Sequence, residues 1–159
     1  HVANYHAGIV IRNALFRIPA KAKYDAVPWV SYTDPELAQV GQTEAEARAQ
    51  DSRVQVLMHT FTDNDRAQAE RRTGGFIKII TSSKGRVLGA TIVGVGAGEL
   101  LFPWVLAIKQ GLKVGALANL IVPYPTISEV SKRVAGSYFT PALFGARTRK
   151  LVRFLARLP

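Results

Sequence analysis

No cysteine occurs in the 159 residues. That excludes a disulfide framework, a thiolate metal site and any dithiol chemistry carried by this chain itself. Long apolar runs are also missing. None approaches the roughly twenty residues needed to cross a bilayer as a helix, and no signal-peptide pattern opens the chain. The histidines, His1, His6 and His59, show no ligand spacing, so nothing favours a zinc centre. His59 alternates with the apolar residues of its segment and is expected to be exposed. There is no P-loop and no metalloprotease helix. Methionine is nearly absent too: Met58 stands alone, and the chain starts at His1. The expectation is a piece of a longer protein, cut within or beside a helix. Residues 2–16 carry a helical pattern with no Ser, Thr, Asp or Asn ahead of it to cap the first turn.

What remains is ordinary globular composition, 48% hydrophobic and 20% charged, which excludes disorder of the whole chain. At this length roughly two-thirds of the unfolded surface becomes buried, enough for one domain with a real core. The net charge is +10, and much of it comes late. Arg147, Arg149, Lys150, Arg153 and Arg157 lie within the last fifteen residues, with no acid among them.

After the opening helix, Ile18-Pro19 ends the pattern, and residues 17–27 read as a linker. Pro28 to Thr33 is rich in aromatic and β-branched residues and reads as a strand. Asp34-Pro35-Glu36 is a turn, and Leu37 to Gly41 a short second strand. Thr43 to Gln50 has a helix signature, with Thr43 as cap and acids in the first turn. Val54 to Phe61 is a strand placing Val54, Val56 and Met58 on one face. Asn64 to Arg72 is a short polar helix. Gly75 to Thr81 and Val87 to Val95 form a hairpin whose Lys84-Gly85 step supplies the positive φ. Leu100 to Gly111 is a buried helix, apolar almost all round, and Ala116 to Ile121 a short one. Ser128 caps a helix to about Tyr138. The final stretch, Phe144 to Leu158, is amphipathic and basic, with Leu151, Phe154, Leu155 and Leu158 at helical spacing. These elements give an α+β fold: about five short, mostly antiparallel strands with helices mainly on one face.

The run Gly94-Val95-Gly96-Ala97-Gly98-Glu99 imitates a dinucleotide fingerprint, but Glu99 stands where G-x-G-x-x-G needs its last glycine. Without a βαβ context it reads as a tight strand-to-helix turn. More informative is Val122-Pro123-Tyr124-Pro125-Thr126-Ile127-Ser128-Glu129-Val130, where a phenol sits inside a Pro-rich turn and a carboxylate follows five residues on. On spacing alone this can be a turn with Tyr124 buried for packing. A small free-standing enzyme built on Tyr124 and Glu129 would have neither cofactor nor nucleophile.

The wider sequence resembles one family. YPTISE is similar to the closing H-P-T-x-x-E motif of the class I pyridine nucleotide-disulfide oxidoreductases, except at Tyr124. VPWVSYTDPELAQVGQTEAEA and GFIKIITSSKGRVLGATIVGVGAGELL resemble the strand, turn and hairpin blocks of the same C-terminal dimerisation (interface) domain. The branches most alike are mercuric reductase, which has Tyr at that position, and dihydrolipoamide dehydrogenase. The resemblance implies four segments. Residues 1–17 would be the tail end of a flavin-binding domain, 18–27 a linker, 28–140 the dimerisation domain and 141–159 a basic extension. It implies FAD and NAD(P)H as cofactors of the parent enzyme, with none bound to this piece alone. Main-chain amides of His1 and Val2 would approach the flavin only in the intact enzyme, on the principle that a helix N-terminus stabilises negative charge.

The partners implied are a second copy in a homodimer and the upstream FAD and NAD(P) domains, in a cytoplasmic protein. Hydride would pass from NAD(P)H to FAD and then to a cysteine pair outside this chain. Tyr124 and Glu129 would complete the partner's active site across the dimer, and the Tyr124–Pro125 bond would be cis. A phenol titrates near 10 and an imidazole near 6.5, so Tyr124 would donate a hydrogen bond, act as an acid or touch a metal substrate rather than serve as a base, with Glu129 orienting the phenol or its turn. Mercuric reductases end in a cysteine pair, which this chain lacks, so its substrate is left open.

For the basic end, the plain expectation is a terminal helix packed on its own domain with solvated arginines. The alternative is a module for a membrane surface or nucleic acid using residues 144–158. No nucleic-acid motif accompanies the charge, so nucleic acid is not an expected partner.

Overall fold

The computed structural model describes residues 1–158. Five antiparallel strands make one sheet: β1 (Trp29–Ser31), β2 (Glu36–Gly41), β3 (Gln55–Thr60), β4 (Phe76–Thr81) and β5 (Val87–Gly94), in the order β1-β2-β5-β4-β3. This is the α+β arrangement expected. The central pairs put Ile77 against Ile92 and Ile79 against Ala90 on one face, where all four are buried.

That face is covered by α4 (Ala97–Leu100), α5 (Phe102–Lys109), α6 (Gly115–Ala118) and α7 (Glu129–Ser137). Trp104, Leu101, Val114, Val130 and Val134 fill the layer between. Burying an aromatic or large aliphatic side chain contributes about 1.5–3 kcal/mol relative to leaving it in water, so this layer dominates stability. Trp104 also donates its Nε1–H to Ser131 Oγ at 3.1 Å, which leaves the buried indole satisfied. The opposite face carries a smaller cluster: Ala47 of α2 (Glu44–Gln50) with Val54 and Ile80, backed by Val56 and Leu88. Thr43 starts α2 with a full capping box: its hydroxyl accepts from the Glu46 N–H and the Glu46 carboxylate accepts from the Thr43 N–H.

Several local expectations change. Met58 does not share the packing of Val54 and Val56; it is exposed, and Leu57 is the strand's buried residue. Met58 follows Val56 on the same face but lies outside the α2 cluster. The single helix expected over 100–111 is two, broken at Leu101 where Pro103 enters the first turn of α5. Proline lacks the N–H that a continuous helix would use there. Phe102 is 73% exposed and Leu106 also faces outward, so α5 is buried on one side only. Ser128 holds the N-cap position of α7 but makes no side-chain cap bond. The preceding turn is already helical, and the amides of Val130 and Ser131 are taken by the carbonyls of Ile127 and Ser128.

The glycine-rich run is the tight turn expected. Gly94 has φ +149°, and a Cβ there would lie 2.4 Å from the Phe61 ring. The backbone passes too close for any side chain.

The two ends differ from this core. α1 (Val2–Ala14) buries no residue completely. The linker runs back along it and is held by polar contacts: the Lys23 N–H donates to Tyr5 Oη, and Asn13 bonds Ala20 twice. Beyond α7, α8 (Thr140–Leu143) and α9 (Ala146–Leu155) bury nothing. The plain expectation that the basic helix packs on its own domain is therefore overturned.

Candidate functional site

The Pro-rich turn is anchored by residues distant in sequence. A 3₁₀ turn (Phe61–Asp63) follows β3 and leads into α3 (Asp65–Ala69). Asn64 between them is fully buried. Its Oδ1 accepts from the Ala67 N–H at 2.9 Å, capping α3, and its Nδ2 donates to the Thr126 carbonyl at 3.0 Å. One side chain thus starts a helix and fixes the turn 62 residues later. Thr126 tightens that turn by donating its hydroxyl to the Pro123 carbonyl at 2.7 Å. The Tyr124–Pro125 bond is cis, as the motif implies, and so is Asp34–Pro35, which nothing in the sequence singled out.

Tyr124 does not turn into the interior. It is 69% exposed, and Ile121, three residues earlier, is 97% exposed. Its hydroxyl donates to Asp65 Oδ2 at 2.9 Å. Asp65 was not anticipated as its partner; a carboxylate right after an N-cap Asn reads as an ordinary first-turn acid, and only the fold brings it to residue 124. The Asp65 hydrogen bond and charge push the Tyr124 phenol above its ordinary value, with smaller contributions from burial and Glu129, and Arg133 opposing. At neutral pH the group is a protonated phenol.

Glu129 lies in the first turn of α7, half-buried, and its Oε2 is buried with no hydrogen-bond partner. It makes no bond to Tyr124; the phenol is oriented by Asp65. His59 also departs from expectation. It is half-buried on the core side of β3, and its Nε2 has no partner. Burial pulls its imidazole below the ordinary value, against the pull of Asp63, and Arg133 adds to the lowering. The strand alternation pairs it with Leu57, the inward residue, rather than with Met58.

His1 and Val2 lie elsewhere. His1 Nε2 donates to the Pro28 carbonyl at 2.9 Å, beside edge strand β1. A groove of about 390 Å³ there is lined by Val2, Tyr5, Pro28, Val105 and Lys109 as well. The first turn of α1 has no side-chain cap, so its amides can meet an outside acceptor. Such a turn fits the edge of an anionic flavin ring. Tyr124, by contrast, is tied to α3, which follows the opposite edge strand β3. Among the described residues no group of three His, Asp or Glu could hold a metal ion, and no helix is long and apolar enough to cross a membrane.

The family model described as the pyridine nucleotide-disulphide oxidoreductase dimerisation domain matches residues 27–135. The chain belongs to this dimerisation-domain family. It is 35% identical to a mercuric reductase of Bacillus cereus over 130 residues, covering 81% of this chain and 21% of that protein. It is 35% identical over 136 residues to a dihydrolipoyl dehydrogenase of Bacillus subtilis, covering 85% and 29%. Among solved structures, LpdA of Mycobacterium tuberculosis matches with a TM-score of 0.79 and 28% identity over 86% of this chain and 30% of that one. The HOCl-induced flavoprotein disulfide reductase RclA of Escherichia coli matches at 0.73 and 28%, over 81% and 30%. The chain thus spans between a fifth and a third of the length of these relatives. It has the fold of that dimerisation domain and contains no cysteine.

Proposed function

We propose that this dimerisation domain joins two copies of an FAD- and NAD(P)H-dependent oxidoreductase and lends Tyr124 and Glu129 to the partner's reaction centre. The observation that carries the reading is the outward phenol: Tyr124 is held on the surface by Asp65. A side chain fixed for packing would be buried. The separation of the two expected patches supports the same reading. His1 and Val2 lie at one edge of the sheet and Tyr124 near the other. One protomer's turn would then serve a flavin held by its partner.

FAD and NAD(P)H would supply the redox chemistry when bound; this chain's own part is to hold and orient. The uncapped amides of His1 and Val2 would face the flavin ring edge. Tyr124 is a proton donor, because its raised pKa keeps the phenol protonated at neutral pH. Its single O–H is engaged by Asp65, so it must leave that carboxylate before donating elsewhere; its oxygen can accept without moving. Glu129 Oε2 is buried without a partner, so the carboxylate would have to turn outward before it could accept from a group brought by the other subunit. Without an imidazole at residue 124, turnover of lipoamide-type disulfides should be slow. The fragment alone is inactive in this reading.

Light scattering on the purified chain tests the dimer: a twofold mass is expected, and a strict monomer at the highest attainable concentration would count against it. In the full flavoprotein, Tyr124→His should raise disulfide turnover. High lipoamide activity with the native tyrosine would overturn the assigned role.

A further inference from the structure

We infer that α9 and its flanks, residues 144–158, form a second binding surface that lies on anionic lipid, independent of the dimer function. Three observations carry this. First, the helix is not part of the core: α8 and α9 bury nothing, and Leu143, Phe144, Leu151, Val152, Phe154, Leu155 and Leu158 are all more than half exposed. Second, the sequence is two-faced. At 100° per residue along α9, Leu151, Val152, Phe154 and Leu155 fall within one arc, while Arg149, Lys150 and Arg153 fall opposite; Arg157 and Leu158 follow in the turn that ends the helix. Arg147 sits among the apolar residues in the first turn, where its long stem lets the guanidinium reach outward. Thr148, the other polar residue on that side, is already satisfied, donating to the Ala142 carbonyl at 2.7 Å. Third, the charge has one sign: the segment contains no Asp or Glu.

These features select the occupant. A helix that docks on protein needs its apolar stripe and tolerates mixed charge on the rim. A helix that docks on nucleic acid needs the cations and has no use for Phe154 and Leu155 on the other side. A surface helix at an anionic bilayer uses both at once. Its apolar arc enters the acyl boundary and its basic residues lie level with the headgroups. The segment is far too short to span, consistent with a helix lying in the interface. Arginine stems flank the arc and extend it, so the area available for insertion exceeds the leucines and phenylalanine alone.

The test is cosedimentation of the 159-residue chain with vesicles of phosphatidylcholine alone and of phosphatidylcholine with phosphatidylglycerol. Binding to the anionic vesicles is expected, falling with added salt. Each cation near an anionic leaflet is worth roughly fivefold in partitioning, so Arg149→Gln, Arg153→Gln and Arg157→Gln together should weaken it on the order of a hundredfold. Phe154→Asp with Leu155→Asp should abolish it, with circular dichroism and thermal melting of residues 1–143 unchanged. Three results would overturn the inference. One is no binding to anionic vesicles. Another is binding of a single-stranded oligonucleotide that survives the Phe154 and Leu155 changes, which would make the surface one for nucleic acid. The last is a dimer that dissociates on those changes with no vesicle binding, which would assign the apolar arc to the second copy.

Discussion

Two kinds of helix occur in this molecule, and they obey different rules. α5 and α7 are short, eight and nine residues, yet carry Trp104, Val130 and Val134 at zero exposure. α1 and α9 are longer, thirteen and ten residues, and bury none. Length and propensity would rank them the other way, since short helices are marginal in isolation. The inner pair is stable because the sheet covers one side of each helix. The outer pair leaves much apolar surface exposed among the described residues: Val10 and Ile11 on α1, Leu151, Val152, Phe154 and Leu155 on α9. In the core, sequence is read out as packing; at the ends apolar side chains stay in water.

The contrast is broken most strongly by truncation at Trp104. Trp104→Ala removes the largest fully buried side chain and leaves Ser131 Oγ, also buried, without its donor. A loss of about 3–5 kcal/mol is expected, read as a fall in the urea midpoint. Leu155→Ala is the matched control on α9; it should stay within roughly 0.5 kcal/mol of the parent. Equal losses at the two positions would mean that α9 packs after all and would erase the distinction.

A smaller effect sharpens the link between core and site. Asn64→Ala removes the cap of α3 and the donor to the Thr126 carbonyl together. The expected cost is about 1–3 kcal/mol, from an unsatisfied buried group plus a lost cap. The telling readout is NMR of the Tyr124 ring, whose resonances should shift as the turn is released. Destabilisation with an unmoved Tyr124 would show that the turn is held by its prolines and not by Asn64.

How much of this was legible beforehand follows the same division. Strand and hairpin positions could be read because Ile77, Ile79, Ala90 and Ile92 alternate, and Gly85 takes φ +78° as a Lys-Gly hairpin step should. The α2 cap was legible because Thr43 and Glu46 are three apart, a purely local device. Misreadings arose where a distant contact decided. His59 lies inward because α7 crosses over β3, which no window around residue 59 contains. The pattern at Phe102 and Leu106 predicts core because it reports apolarity, not which neighbour is missing, and both face outward. At the site, Tyr124 and Glu129 stood out through the motif. Asp65 and Asn64 did not, because their partners lie about sixty residues away in sequence.

The smallest expected effect is electrostatic and bears on Tyr124 alone. Its phenol is raised chiefly by donating to the Asp65 carboxylate. Asp65→Asn replaces an anion with a neutral acceptor, so the phenol should titrate closer to its ordinary value of about 10. Spectrophotometric titration of the Tyr124→Phe difference isolates that one tyrosine from the other four. The linkage has a definite sign. A group whose folded pKa lies above its unfolded one adds stability that is fully present below the unfolded value and is lost as pH rises through the folded value. The bond between Tyr124 and Asp65 should therefore contribute at neutral pH and fade above about pH 10. Asp65→Asn should flatten that part of the stability profile while leaving the neutral-pH midpoint almost unchanged, since the ring is mostly in water. An unshifted titration would mean that the phenol does not rest on Asp65 in solution and is already free to reach another molecule.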